Sequence, residues 1–307
     1  MADRLMLLDS ASLYFRAFYG VPDTVRAPDG RPVNAARGFL DMIARLVTRF
    51  EPTHLVACWD DDWRPQWRVD LIPSYKAHRV VETVSSGPDV EEVPDPLEAQ
   101  IPVIRDALDA LGIPIVGAAE HEADDVIGTL ATRATMPVDI VTGDRDLFQL
   151  VDDDRDVRVV YTARGMSNLA VVDDDHLVAA YGVHAAQYAD YATLRGDSSD
   201  GLPGVAGVGE KTAATLLRAH GDIAGITAAA QAGEGMTPAQ RKKVLAAADY
   251  LAVAPTVVEV VRTLDLPEVD ARILPLAEDL AARTAAVADR WALGTSMTRA
   301  VEALGPA

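Results

Sequence analysis

Apolar residues in this chain fall in short runs, and several of those runs end on an acid. Leu5-Met6-Leu7-Leu8 predicts a buried strand that stops at Asp9. Thr53 to Cys58 predicts a second strand, followed by Trp59-Asp60. Ile113-Pro114-Ile115-Val116, Val138 to Thr142 and Val157 to Tyr161 predict three more, and Gly143-Asp144 follows the middle one of these. Between them the period changes. Phe39, Ile43, Leu46 and Phe50 recur at helical spacing within Val33 to Phe50, and Leu97 to Leu111 and Glu122 to Arg133 are also helical. Strands alternating with helices predict an α/β fold, a mostly parallel central sheet flanked by helices on both faces. In such sheets the ligand crevice lies outside the carboxyl ends of the strands. Asp9, Asp60 and Asp144 all follow strands at that edge, and Glu122 opens a helix just after one.

From about Val183 the strand pattern stops. Ala-rich helical stretches follow, with Gly and Pro punctuation between Gly201 and Gly209. The expected division is an α/β core over 1–182 and a helical lobe over 183–307, without internal repeats. The stretch Glu82–Pro96 carries five acids, three prolines and no Lys or Arg, and reads as a mobile loop or frayed helix tip.

The acids are unevenly placed. Glu122-Ala123-Asp124-Asp125, Asp144-Arg145-Asp146 and Asp197-Ser198-Ser199-Asp200, with Asp9 and Asp60, put nine carboxylates at points where a strand or loop gives way to a helix. Taken singly, each cluster also reads as an acidic first turn or a capped loop. Together they predict a site where divalent cations offset mutual repulsion. Oxygen donors without a His or Cys cluster favour Mg²⁺ or Mn²⁺ over zinc. That chemistry indicates metal-dependent phosphodiester hydrolysis.

Net charge argues the other way. Lys+Arg total 28 against 47 Asp+Glu, a formal charge of −19, whereas nucleic-acid binders are usually basic. The objection weakens when the cations are located. The four lysines, Lys76, Lys211, Lys242 and Lys243, all fall in segments suited to phosphate contact. Trp67-Arg68 and Tyr75-Lys76-Ala77-His78-Arg79 interleave cations and aromatics, a composition that suits gripping phosphates or, equally, a solvated amphipathic helix. The run Gly204-Val205-Ala206-Gly207-Val208-Gly209-Glu210-Lys211-Thr212 fails as a phosphate loop of the Walker type, because Glu210 stands where the lysine belongs. It fits a glycine-rich hairpin between helices, whose amides can hold a phosphate. His78 and His121 read as structural or solvated. Cys58, the single cysteine, lies in an apolar run and excludes an internal disulfide. No secretory leader and no apolar stretch of about 18 residues is present, so a soluble cytoplasmic protein is expected.

Several of these motifs carry a resemblance: Leu8-Asp9, Phe15-Arg16, Trp59-Asp60, Tyr75–Arg79, Glu122–Asp125, Thr142–Asp146, Gly196–Asp200 with Leu202-Pro203-Gly204, and Gly207–Thr212. The chain resembles bacterial 5′-nucleases of the flap endonuclease family and is similar to the 5′-nuclease domain of DNA polymerase I, nearly end to end. The resemblance implies a PIN-like core, a helical arch at about 63–105, and a helix-hairpin-helix DNA-binding element at about 196–220. It implies a first metal site of Asp60, Glu122, Asp124 and Asp144 and a second of Asp146, Asp197 and Asp200, with Asp9 and Asp125 orienting ligands nearby. Lys76 and Arg79 are implied to reach the scissile phosphate. Tyr75 would stack on a base, with Arg16 near a threading gate and Arg68 on DNA. Gly207, Gly209, Lys211 and Thr212 would hold duplex DNA, with a K⁺ ion admissible at the hairpin. The implied protein is a monomeric, nucleoid-associated 5′-3′ exonuclease and flap endonuclease with two or more Mg²⁺ or Mn²⁺ ions. Its implied substrates are flaps, nicks, gaps and RNA-primer ends in replication and repair. A PIN-like ribonuclease and a catalytically dead flap-binding module are the alternatives. Trp59, Gly201 and the long acidic stretch after Arg79 depart from the family pattern.

Overall fold

Alternation of side chains along β1 (Leu5–Asp9) sends Met6 and Leu8 to one face and Leu7 to the other, and each face is buried under its own apolar cluster. In the computed structural model, which describes residues 3–84, 87–275 and 278–305, β1 starts the chain. It leads into α1 (Ser10–Gly20) and α2 (Asn34–Phe50), then β2 (His54–Cys58) and α3 (Gln66–Leu71). A short hairpin, β3 (Val80–Glu82) and β4 (Val90–Glu91), precedes α4 (Asp95–Glu98), α5 (Ile101–Ala110) and β5 (Ile115–Val116). The core closes with α6 (Ala123–Arg133), β6 (Val138–Thr142), β7 (Val157–Tyr161), β8 (Ala170–Val172) and α7 (Asp174–Tyr181). Five strands run parallel and β8 antiparallel, in the order β5-β2-β1-β6-β7-β8. Asp9 pairs in register with Cys58, and Leu8 with Val141, so the carboxyl ends of β1, β2 and β6 lie side by side.

One face is covered by α1, α2 and α5. The other is covered by α6 and by the helices that follow: α8 (Tyr188–Arg195), α9 (Glu210–His220), α10 (Ile223–Ala232), α11 (Pro238–Ala246) and α12 (Ala248–Val258). Phe148, Tyr181, Tyr188 and Tyr191 stitch the two units together edge to face, with Phe148 and Tyr188 centroids 5.3 Å apart.

The expected helical lobe over 183–307 requires correction at its end. After α12 the chain crosses back under the sheet. Val261 N–H donates to Asp125 (2.8 Å), and Leu55 N–H donates to Ala271 O (2.8 Å). The last two helices, α13 (Glu278–Arg290) and α14 (Gly294–Leu304), then pack on α5 and α2. Trp291, Leu293, Met297 and Leu304 join the Phe39–Ile43 cluster, so 278–305 belong to the α/β core.

The arch also differs from expectation. Among the described residues of 63–105 no long helix rises. The segment holds α3, one 3₁₀ turn at Ala77–Arg79, the β3–β4 hairpin and two helices, α4 and α5. Glu82–Pro96 is not simply an exposed acidic tip: Asp89 is buried against Arg64, and its carbonyl accepts from Trp63 Nε1 at 2.7 Å. Ser85 and Ser86 lie outside the described residues.

What anchors α3 is a buried guanidinium. Arg68 donates to both Asp125 oxygens (2.7 and 2.8 Å), to Glu122 Oε1 (3.0 Å) and to Val257 O (3.1 Å). It therefore ties α3 to the start of α6 and the end of α12. Its expected role on DNA is corrected by this burial: with its side chain 3% exposed, its guanidinium is spent on internal partners. Removing one partner of such a network strands buried charge, which costs about 3–5 kcal/mol. Arg68→Ala is expected to lose that much in urea denaturation. A change within about 0.5 kcal/mol, the range of an ordinary surface substitution, would contradict the assignment.

Candidate active site

At the carboxyl edge of the sheet a cavity of about 470 Å³ opens between β1, β2, β6 and the β3–β4 hairpin. Asp9, Asp60, Glu122, Asp124 and Asp144 line it, with Lys76, Arg79, Trp63 and Glu91. A small adjoining recess shares Glu122 and Asp124 and adds Asp146 and Asp200. Two larger clefts, of about 620 and 720 Å³, lie elsewhere and hold no buried carboxylate.

Each acid is placed by its element. Asp9 ends β1 and caps α1, accepting from Ser12 N–H (3.1 Å) and from the Thr142 hydroxyl (2.6 Å). Asp60 accepts from the first amide of α6, that of Ala123 (2.8 Å). Glu122 and Asp125 form a reciprocal cap at the same helix start. Asp144 accepts from Asp146 N–H (2.9 Å) in the tight turn after β6. Gly143 is required there by space and not by a left-handed φ: a Cβ would stand 2.8 Å from Ser12 Oγ and 3.3 Å from Arg16 Nη2. Asp197 and Asp200 arrive on a loop docked to the base of the hairpin segment. Lys76 N–H donates to Asp200 O (2.9 Å), and a Cβ on Gly201, at φ +70°, would lie 2.1 Å from Ser74 O.

Crowding acids into protein disfavours their charge. Burial, reinforced by Asp60, lifts Asp9 to about 7, against the Thr142 hydrogen bond. Burial, with Glu122 nearby, lifts Asp60 to about 6, against the Ala123 amide. Burial pushes Asp124 well up, with Asp9 and Asp144 adding to it, and pushes Asp146 well up, with Asp144, Asp200 and Asp197 adding. Asp200 is raised by burial too, although Lys76 opposes it. Asp197 is the exception: burial is outweighed by its hydrogen bonds from Ser199 and by Arg195, and its carboxyl lies below the usual range.

The cations are committed. Lys76, held at a left-handed φ of 48°, points its ammonium at Glu122, while Arg79 pairs with Asp200 (2.9 Å) and donates to Ser199 O (2.6 Å). Burial alone would depress the Lys76 ammonium, but Glu122, Tyr75, Asp200 and Asp124 together outweigh it and hold the pKa well above the ordinary lysine value. Tyr75 is buried and donates to Glu122 Oε1 at 2.6 Å, which corrects the expectation that it stacks on a base. Asp125, fully buried on Arg68, braces the helix start from outside the cavity. Arg16 lies beside Gly143 with Nε buried and unpartnered, and Gly207, Gly209, Lys211 and Thr212 lie on the lobe hairpin, away from the cavity.

Four contributors had escaped the sequence reading: Thr142, Ser12, Arg195 and Glu91. Thr142 precedes the Gly-Asp turn, and Ser12 follows Asp9 by three residues, a capping spacing that is legible in retrospect. Arg195 clamps Asp197 at 3.1 Å, and Glu91 was hidden in the stretch read as a mobile loop or frayed helix tip.

The residues fit divalent ions on two counts. The donors are all carboxylate oxygens, and burial disfavours the charge of four of them, Asp60, Asp124, Asp146 and Asp200, while Asp146 Oδ1 is buried without a hydrogen-bond partner. Among the described residues no three of these acids lie close enough together to hold an ion.

Comparison with known proteins matches this architecture. Residues 4–182 match the 5′-3′ exonuclease N-terminal resolvase-like domain, and residues 183–278 match the 5′-3′ exonuclease C-terminal SAM fold. The chain is 60% identical over 300 residues to a 5′-3′ exonuclease of Streptomyces coelicolor, covering 97% of this chain and 99% of that protein. It is 42% identical over 223 residues to DNA polymerase I of Mycobacterium bovis, covering 71% of this chain and 23% of that protein. Its fold is similar to that of the T5 5′-exonuclease solved with divalent zinc ions bound: TM-score 0.65 at 17% identity, covering 98% of this chain and 99% of the other. With both domain matches spanning nearly its whole length, and with its acids gathered at the sheet edge, the chain belongs to the 5′-3′ exonuclease family.

Proposed function

We propose that this exonuclease acts on DNA carrying 5′ flaps, nicks, gaps or RNA-primer ends. It hydrolyses phosphodiesters with Mg²⁺ or Mn²⁺ and leaves 5′-phosphate products, as a cytoplasmic, nucleoid-associated monomer. The observation that carries the reading is the convergence of seven of the nine carboxylates, Asp9, Asp60, Glu122, Asp124, Asp144, Asp146 and Asp200, on two adjoining recesses at one sheet edge, with Lys76 and Arg79 beside them. Asp60, Glu122, Asp124 and Asp144 would hold one ion, and Asp146, Asp197 and Asp200 a second. Bound divalent ions supply Lewis-acid activation of water and neutralise charge on the phosphate.

The chain's own residues prepare that chemistry. Thr142 and the Ser12 amide fix Asp9, and the Ala123 amide fixes Asp60. Both oxygens of Glu122 are engaged by Arg68, Tyr75 and Lys76. Lys76 holds Glu122 from within the cavity, and Lys76 and Arg79 would offer positive charge to a phosphate bound there. Positive charge aimed there stabilises the transition state. The T5 neighbour carries zinc, whereas oxygen donors alone suit Mg²⁺ and Mn²⁺ better. No observation favours RNA over DNA, and the retained acids argue against a dead binding module. K⁺ at the lobe hairpin stays part of the proposal.

A 5′-labelled DNA flap and a matching RNA strand, each with EDTA, Mg²⁺, Mn²⁺ or Zn²⁺, test this reading. Cleavage of the DNA flap with Mg²⁺ or Mn²⁺ and none in EDTA is expected, and full activity with zinc alone would refute the donor argument. Asp124→Ala or Asp144→Ala should cut single-turnover rate by at least about 10²-fold, the scale of one catalytic electrostatic contact. Wild-type rates in both variants would remove the site from this cavity.

Stability should depend on pH in a definite direction. An acid whose folded-state pKa lies above its unfolded value favours the fold at low pH, and that contribution is lost as pH rises through the folded pKa. Asp9, at about 7, and Asp60, at about 6, start from 3.8, so in EDTA their contribution is lost between roughly pH 4 and pH 7. Mg²⁺ should therefore raise Tm more at pH 8 than at pH 5.5. Equal gains at both values would contradict the burial of these acids.

A further inference from the structure

Of the four lysines, Lys76 is spent on Glu122, and the remaining three all lie in the helical lobe. Lys211 is in the first turn of α9, and Lys242 and Lys243 are on α11. Among the described residues none of these three pairs with a carboxylate, in a protein of net charge −19. Lys211 and Lys242 are exposed. Lys243 does something different. Its Nζ donates to Gly207 O at 2.8 Å, and a Cβ on Gly207, at φ +72°, would lie 2.8 Å from that same nitrogen. The hairpin turn is thus latched to α11 by a residue 36 positions further along the chain. Around the lysines the surface is small: Ala206, Gly207 and Gly209 are exposed on the hairpin, and Ala246 on α11. The nearest hairpin acid, Glu210, faces Arg195 at 3.8 Å.

From this arrangement we infer that α11 is a second phosphate-binding element. It is joined to the hairpin by the Lys243 latch, so that Lys211 and Lys242 hold the backbone of duplex DNA from two helices. The partner is a phosphate polyanion because the surface offers uncompensated ammonium groups and small side chains that let a backbone approach. Among the described residues its large apolar content is one exposed side chain, Leu245 on α11, and it offers no acceptor set for reading bases. Lys243 contributes both its charge and the fixed position of the turn. The inference rests on reading the hairpin as a DNA-binding element, and it extends that surface to a helix that lies outside it.

Equilibrium binding of the full-length protein to a plain DNA duplex, in EDTA and over about 50–200 mM salt, tests it. Each phosphate contact contributes about 0.9 to the slope of log K against log salt. Lys242→Ala should lower the slope by about that amount, so that the variant loses about 3.5-fold less affinity across the range, with Tm unchanged. Lys243→Met should lower the slope similarly and also weaken binding at the highest salt, because the turn is released. Lys243→Arg should keep the wild-type slope. Arg49→Ala, an exposed cation on α2, is the control and should change nothing. A wild-type slope in Lys242→Ala, or an equal loss in Arg49→Ala, would overturn the inference while leaving the hairpin reading intact. Failure of the wild-type protein to bind duplex would overturn the hairpin reading itself.

Discussion

Like charges buried together repel, and this constraint shapes the whole of the sheet edge. The protein places Asp9, Asp60, Asp124, Asp146 and Asp200 in buried or half-buried positions, and each is pushed toward its neutral form. Several features of the fold answer that cost locally. Arg68 takes up Asp125 and one side of Glu122, Lys76 takes the other side, Arg79 takes Asp200 and Arg195 takes Asp197. Asp124 and Asp146 receive no such cation. The unanswered charge is therefore concentrated between the two groups of acids, where divalent ions would relieve it.

The same constraint explains why the connections run as they do. The segment before the β3–β4 hairpin returns to the sheet edge because Arg64, Arg68, Tyr75 and Lys76 each have a buried acid or carbonyl to satisfy there. The irregular segment after α12 supplies Val261 N–H to Asp125 on α6 and Val260 N–H to Gln149 in the turn after β6 (3.0 Å), and so braces both. Assembly of the site thus depends on chain segments separated by more than a hundred residues.

Asp9, Asp60 and Asp144 were legible in the sequence because parallel strands align their carboxyl ends, so an acid after each short apolar run had to fall at one edge. The helices over Asn34–Phe50 and Ala123–Arg133 were legible from their period. Arg68 and Tyr75 were misread because cations interleaved with aromatics have the same composition whether they grip DNA or bridge buried acids, and only burial separates the two. The return of α13 and α14 to the α/β core was hidden for a related reason: an amphipathic period shows that a face is buried, not against what. The composition of Glu82–Pro96 reads as a mobile loop or frayed helix tip, yet Asp89 pairs with Arg64, which lies 25 residues earlier. In each of these cases the missing information was a long-range partner.

The central claim is that the uncompensated acids at the sheet edge form a divalent-ion site. Crystals of the protein soaked in Mn²⁺ and measured for anomalous scattering test it most directly. The account predicts peaks within about 2.0–2.5 Å of oxygens of Asp124 and its neighbours Asp60, Glu122 or Asp144, with the Lys76 ammonium moved off Glu122. No peak at the sheet edge, or ions held only at the exposed acids Asp153 and Asp154, would contradict it.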